Sequence, residues 1–191
     1  GSVAVAGIAF GLASRLFSEL SHGIQTILRD RISSPVIRPA IGGVLLIVLV
    51  HLLGTRDFLG LGVTSPDPEA VTILSSFREG GADRWSWLWK IVFTAITVGS
   101  GFKGGEVTPL FFIGAALGNT LALLLGLPVD LCAALGFVSV FAGATNTPLA
   151  CTMMAVELFG GDYTVCFALS CLLSYLFSGH SGVYGSQRLP D

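Results

Sequence analysis

Charge is what this chain has least of. Only 12% of its 191 residues are Asp, Glu, Lys or Arg, about half the roughly 25% found in ordinary soluble domains. Together with 52% hydrophobic residues and a mean hydropathy of +0.80, that scarcity excludes a soluble globular domain and indicates a membrane protein in contact with a lipid bilayer. The net charge of -2 provides neither a basic nor an acidic surface, so nucleic acid is not an expected partner. Metal-binding and redox patterns are missing too. Cys132, Cys151, Cys166 and Cys171 sit in apolar runs with no CxxC or Cys/His spacing and read as small hydrophobes in packed helices. No cofactor and no metal is expected. The first residues lack the basic region and small-residue cleavage site of a signal peptide. Gly1-Ser2 reads as a cloning remnant or the point where a longer chain was cut.

What is present is a succession of apolar segments. Residues 3–28 have helical spacing, with Gly7 and Gly11 as a GxxxG pair and with Arg15 and Glu19 four apart on one face, where they can pair. Arg29, Arg31 and Arg38 against the lone Asp30 put the following loop on the cytoplasmic side by the positive-inside rule. Pro39 opens a second segment, residues 40–54, with His51 at the interface near its end. Residues 55–86 form the longest polar stretch, turn-rich at 59–68, with a short half-inserted helix expected over 69–77. Trp85, Trp87 and Trp89 cluster at the next boundary as interfacial anchors.

Three uncharged tracts dominate the rest. Residues 107–129 contain Gly114 and Gly118 at GxxxG spacing, which admits close helix approach. Residues 131–156 are interrupted by Thr145-Asn146-Thr147-Pro148, a break that predicts two half-helices, because Pro148 cannot donate to the helix ladder and Asn146 favours a turn. After Gly160-Gly161-Asp162 a helix is expected over 163–177. Several segments are about 12–17 residues, short of the roughly 20 needed to cross hydrocarbon. Broken helices at membrane depth imply an internal ion or solute site.

The candidate site is the glycine-rich break at 99–109, which carries Lys103 and Glu106 between two apolar segments. A helix starting there directs unpaired N–H groups and the positive end of its dipole at whatever precedes it. Gly104 and Gly105 leave the backbone bare, and Val107, Thr108 and Pro109 form the first turn, so amides and a hydroxyl converge as in an anion site. On the glycines alone, a tight helix crossing is an equally good reading. Glu106 has three: it meets the pathway, where protonation relieves its repulsion of anions; it pairs with Lys103; or it sits on its own helix dipole as a structural group.

The string Gly104-Gly105-Glu106-Val107-Thr108-Pro109 resembles the Gly-Gly-x-Phe-x-Pro signature of the CLC chloride channel and transporter family. Thr152-Met153-Met154-Ala155-Val156-Glu157-Leu158-Phe159 with Tyr163 is similar to that family's acid-bearing helix, and Tyr184 falls where the family has an anion-coordinating tyrosine. The resemblance implies an all-α polytopic membrane protein, the C-terminal inverted repeat of the CLC fold with broken and half-length helices, spanning 1–191. It implies anion binding by the Val107 amide and the Thr108 and Tyr184 hydroxyls, and a homodimer through helices in 148–177.

Val107 in place of the usual Phe, beside Glu106 and Thr108, is similar to the fluoride/proton antiporter branch, so fluoride and protons are the expected partners. Chloride, moved by a passive channel or a chloride/proton exchanger, is the alternative. Nothing in 1–98 resembles the family's Gly-x-Glu-Gly-Pro element with its gating glutamate, so a missing N-terminal repeat is expected and the chain reads as a fragment. A bacterial inner membrane is the expected location. A remote alternative is an intramembrane serine protease using Ser181 within Gly179-His180-Ser181-Gly182, though no histidine base lies on a later helix. Otherwise no enzyme is expected.

Overall fold

A computed structural model of the chain describes residues 1–179 and 182–183. Its elements are α1 (Ser2–Arg31), α2 (Ile37–Leu53), a 3-10 turn at Ser75–Phe77, α3 (Ser86–Gly99), α4 (Val107–Leu125), α5 (Val129–Thr145), α6 (Pro148–Phe159) and α7 (Thr164–Phe177). No strand occurs among the described residues. The apolar segments read from sequence thus become helices with boundaries shifted by a few residues at most.

The buried axis is α5, which packs on α1, α4, α6 and α7. Its Cys132, Leu135, Val138, Ser139 and Val140 are wholly hidden from solvent, in keeping with a helix that is apolar on all sides. Small residues set the close crossings. A Cβ on Gly118 would stand 2.7 Å from the Ala133 Cα, and one on Gly11 would stand 2.6 Å from the Ser174 carbonyl oxygen. The first pair joins α4 to α5 and the second joins α1 to α7, so both GxxxG pairs mark real crossings. Hydroxyls seal the centre: Ser139 Oγ donates to Ser170 Oγ at 2.8 Å, and Ser174 Oγ donates to the Ser139 carbonyl at 2.6 Å. Such small-residue packing with interhelical hydrogen bonds is how helices associate without a hydrophobic driving force.

Helices α1 and α4 are long and apolar enough to cross a membrane. By contrast α3, α6 and α7 have 14, 12 and 14 residues, or about 18–21 Å at 1.5 Å per residue, against about 30 Å of hydrocarbon. The break between α5 and α6 is built as expected. Asn146 ends α5 in the left-handed region at φ 56°, and Pro148 occupies the first turn of α6. Large apolar side chains line the outer surface, among them Leu149 and Met153 on α6 and Val165 and Leu172 on α7.

One expected element is not formed. Within 69–77 only Ser75–Phe77 is helical. Side chains take the backbone partners a helix would need: Glu69 N–H donates to Asp67 Oδ1, Thr72 N–H to Ser75 Oγ, and Ser75 N–H to Thr72 Oγ1. Asp, Ser and Thr compete with the helix ladder in this way. The segment is instead tied to the helices by Asn119 of α4, whose Nδ2 donates to the Ser76 carbonyl at 2.8 Å and the Arg78 carbonyl at 2.7 Å.

Candidate functional site

Helix ends converge on the glycine break. α3 stops at Gly99, and Gly101, at φ +90°, turns the chain away with its N–H on the Val98 carbonyl. α4 begins at Val107. The C-terminal end of α5 is close by in space, because Val183 N–H donates to the Ala144 carbonyl at 2.8 Å while Val183 shares a cavity with Glu106.

The start of α4 is left open. Glu106 occupies the N-cap position with no side-chain capping bond, and its carbonyl accepts from Leu110 N–H. Pro109 has no N–H. The Val107 and Thr108 amides are therefore the donors without a partner among the described residues, and they carry the positive end of the dipole. Both residues are half-buried, whereas Gly104, Gly105 and Lys103 are exposed.

The two glycines separate the readings left open above. A Cβ on Gly104 or Gly105 would meet no atom within 4 Å, and neither residue has a positive φ. No helix crosses at this point, so close packing within this chain does not explain them. Bare backbone is what remains. On one side they border a cavity of about 180 Å³ whose other walls include Thr94 and Thr97 of α3 and Phe58 and Gly60 of the long loop.

Glu106 is similarly narrowed. No ion pair with Lys103 forms; among the described residues the one salt bridge is Arg15–Glu19 at 2.7 Å, itself expected from their spacing. Nor does the carboxylate cap its helix. Its Oε2 is buried with no hydrogen-bond partner and faces the second half of α1. The carboxylate thus lines the cavity beside α1 with neither the capping bond nor the ion pair that a structural role would add.

Tyr184, His180 and Ser181 lie outside the described residues, so the tyrosine donor and the serine-protease alternative rest on sequence alone. His51 is exposed, with Nδ1 2.9 Å from the Ile47 carbonyl oxygen, as an interfacial residue would be. Cys132, Cys151 and Cys171 are buried thiols.

Sequence reasoning passed over Lys90. This lysine, on α3, is completely buried, and its Nζ donates to the Phe58 carbonyl at 3.2 Å and the Gly60 carbonyl at 2.8 Å. It also lies 4.8 Å from the centre of the Phe112 ring, a cation–π distance. It thereby clamps the loop that walls the cavity beside Gly104. A cation inside an apolar segment is the signal that could have marked it; the flanking tryptophans drew attention to the interface instead.

The helices, their half-lengths and the break between α3 and α4 define an all-α polytopic membrane protein in which α4 starts uncapped. The chain belongs to the voltage gated chloride channel family, whose model matches residues 1–179. It is 47% identical over 194 residues to a chloride/fluoride channel protein of Pseudomonas syringae pv. tomato, covering 98% of this chain and 41% of that protein. It is 29% identical over 139 residues to an uncharacterized protein of Methanocaldococcus jannaschii, covering 73% of this chain and 34% of that one. Its structure resembles the crystal structure of a CLC-type fluoride/proton antiporter at 36% identity and a TM-score of 0.87, over 96% of this chain and 45% of that one. The chain thus spans less than half the length of these relatives.

Proposed function

We propose that this chain is the C-terminal half, the second inverted repeat, of a protein that moves anions across a bacterial inner membrane by fluoride/proton antiport. The observation that carries this reading is the open start of α4: the Val107 and Thr108 amides have no partner among the described residues and lie beside the exposed backbone of Gly104 and Gly105. Fluoride is small, hard and strongly hydrated, so a site must replace its water with close donors, and the Thr108 hydroxyl adds one where alanine would add none. The Tyr184 hydroxyl completes the set. Glu106 is the group whose protonation couples to the anion, and Lys103 supplies local positive charge. The N-terminal repeat supplies the gating glutamate. Two copies associate through helices in 148–177, where Leu149, Met153 and Val165 are exposed. The names of the Pseudomonas relative and of the solved antiporter support fluoride.

The experiment is fluoride and chloride flux from liposomes holding the full-length protein. Thr108→Ala and Tyr184→Phe are each expected to lower fluoride-over-chloride selectivity; unchanged selectivity in both would remove the proposed donors. The word channel in the Pseudomonas relative's name favours a second reading, passive conduction of chloride or fluoride. Reversal potential under an imposed pH gradient separates the two, because an antiporter's follows pH and a passive anion channel's does not.

A further inference from the structure

Behind Glu106 lies a second cavity that anion binding does not use. It has a volume of about 270 Å³ and is lined by Ser18, Ser21, His22 and Gln25 of α1, by Glu106 and by Val183. Ser18 and Ser21 are almost wholly buried, yet their hydroxyls have no hydrogen-bond partner, and neither has Glu106 Oε2. Three buried polar atoms without protein partners in one polar, roomy space meet the conditions for ordered water, which takes about 30 Å³ per molecule and needs two to four polar contacts. A dry cavity would leave each of them desolvated and unpaired, which is costly.

The cavity also has a direction. Its residues recur at positions 18, 21, 22 and 25, one face of α1. Ser18 and Ser21 are buried, His22 is half-buried and Gln25 is exposed, so polarity and access to solvent rise together toward Arg29 and Arg31 at the C-terminal end of the helix. That end is the cytoplasmic one by its arginines. His22 lines the same cavity as Glu106 and lies nearer the exposed end of α1 than Ser18 and Ser21 do. Histidine is the side chain that takes up and gives off protons near neutral pH.

We propose that this cavity is a hydrated proton-access route from the cytoplasmic face, in which His22 passes protons to Glu106. The step is a proton exchange: an imidazolium N–H gives its proton, through one or more waters held by Ser18 and Ser21, to a Glu106 carboxylate oxygen. This leaves neutral imidazole and a neutral carboxylic acid, and His22 then takes a proton from the cytoplasmic side. The titratable groups facing the cavity are Glu106 and His22; α3 contributes Val98 alone. Of the nearby charges, Lys103 is exposed on the α3–α4 connection, and Arg15 and Glu19 pair with each other on α1. The route rests on the antiport reading, since a passive channel needs no path for protons.

The test uses the full-length protein in liposomes, with proton uptake and fluoride efflux measured together across pH. Exchange by His22→Ala is expected to fall about tenfold or more at neutral pH, with an altered pH profile, and to recover when imidazole is added in proportion to its concentration. A packing role would not be rescued by imidazole. His51→Gln, at an exposed position on α2, is expected to behave as the unchanged protein. If the unchanged protein's reversal potential ignores pH, antiport and route both fall. If it follows pH while His22→Ala keeps the original rate and profile, the route alone is overturned. Should His22→Ala not fold, Ser21→Cys decides. Modification of that thiol by a cationic methanethiosulfonate from the cytoplasmic side alone, above the level in the unchanged protein, supports the route, and no modification overturns it.

Discussion

Glycines at two places in this chain should respond in opposite ways to the same small change. At Gly118 an added Cβ would stand 2.7 Å from the Ala133 Cα, and at Gly136 one would stand 2.9 Å from Phe10 Cε1 and press on the Gly114 carbonyl. Ordinary carbon contacts are about 3.5–4.0 Å, so Gly118→Ala requires α4 and α5 to separate by roughly 1 Å. The neighbour at Gly118 is helix backbone, which cannot swing aside. The cost should therefore reach the upper part of the range for overpacking, about 3 kcal/mol. At about 2–4 °C per kcal/mol for a domain of this size, that is a fall of about 6–12 °C in the midpoint of thermal unfolding in detergent. Gly104→Ala and Gly105→Ala meet nothing within 4 Å and should leave the midpoint within about 2 °C, as surface changes do. They should nevertheless reduce anion flux, because the methyl group intrudes where bare backbone borders the proposed anion. Thermal melts and liposome flux on the full-length variants test both halves. A stable Gly118→Ala would refute the packing reasoning; full flux in both Gly104→Ala and Gly105→Ala would refute the assignment of bare backbone to the ion.

Lys90→Met leaves the Phe58 and Gly60 carbonyls without their donor at about 1–3 kcal/mol each, partly offset because no ammonium is desolvated. Faster proteolysis within the 54–85 loop is expected, and an unchanged cleavage rate would count against the clamp. Asn146→Ala keeps a non-glycine residue at φ 56° without asparagine's tolerance of that region and should cost about 1 kcal/mol, whereas Asn146→Gly should be neutral in the same melt. Glu106→Gln removes no hydrogen bond or ion pair seen in the structure, so its unfolding midpoint should not fall even where exchange is lost. Residues 1–191 reconstituted by themselves should show no coupled fluoride/proton exchange above empty liposomes.

Local signals made much of this fold legible. Gly114 and Gly118 announced a close crossing because glycine spacing maps directly onto one helix face, and Asn146 with Pro148 announced a break because neither suits a helix interior. The start of α4 was legible for the same reason. What could not be read depends on partners far away in the chain. Residues 69–77 have helical spacing, but whether they coil is decided by Asp67, Thr72 and Ser75 taking backbone partners and by Asn119, about forty residues on, fixing the carbonyls. Lys90 depends on a loop thirty residues earlier. The cavity behind Glu106 needs α1 beside the start of α4, and spacing within α1 says which residues share a face without saying what that face meets.

Glu106 shows how geometry bears on readings that sequence leaves open. At a helix start a carboxylate gains about 0.3–1 kcal/mol from the dipole, and a capping bond or an ion pair with Lys103 would have added to that. Neither is made. One of its oxygens is instead buried with no protein donor, so ordered water is left to pair it, and its burial costs more than the dipole returns. As a structural group it would thus be a net burden, and an apolar or amide residue would serve the helix better. A group that breaks a local rule without a compensating contact belongs to the site before it belongs to the scaffold. Under the proposed function, that sets the carboxylate, like the two glycines beside it, on the path of the transported ions.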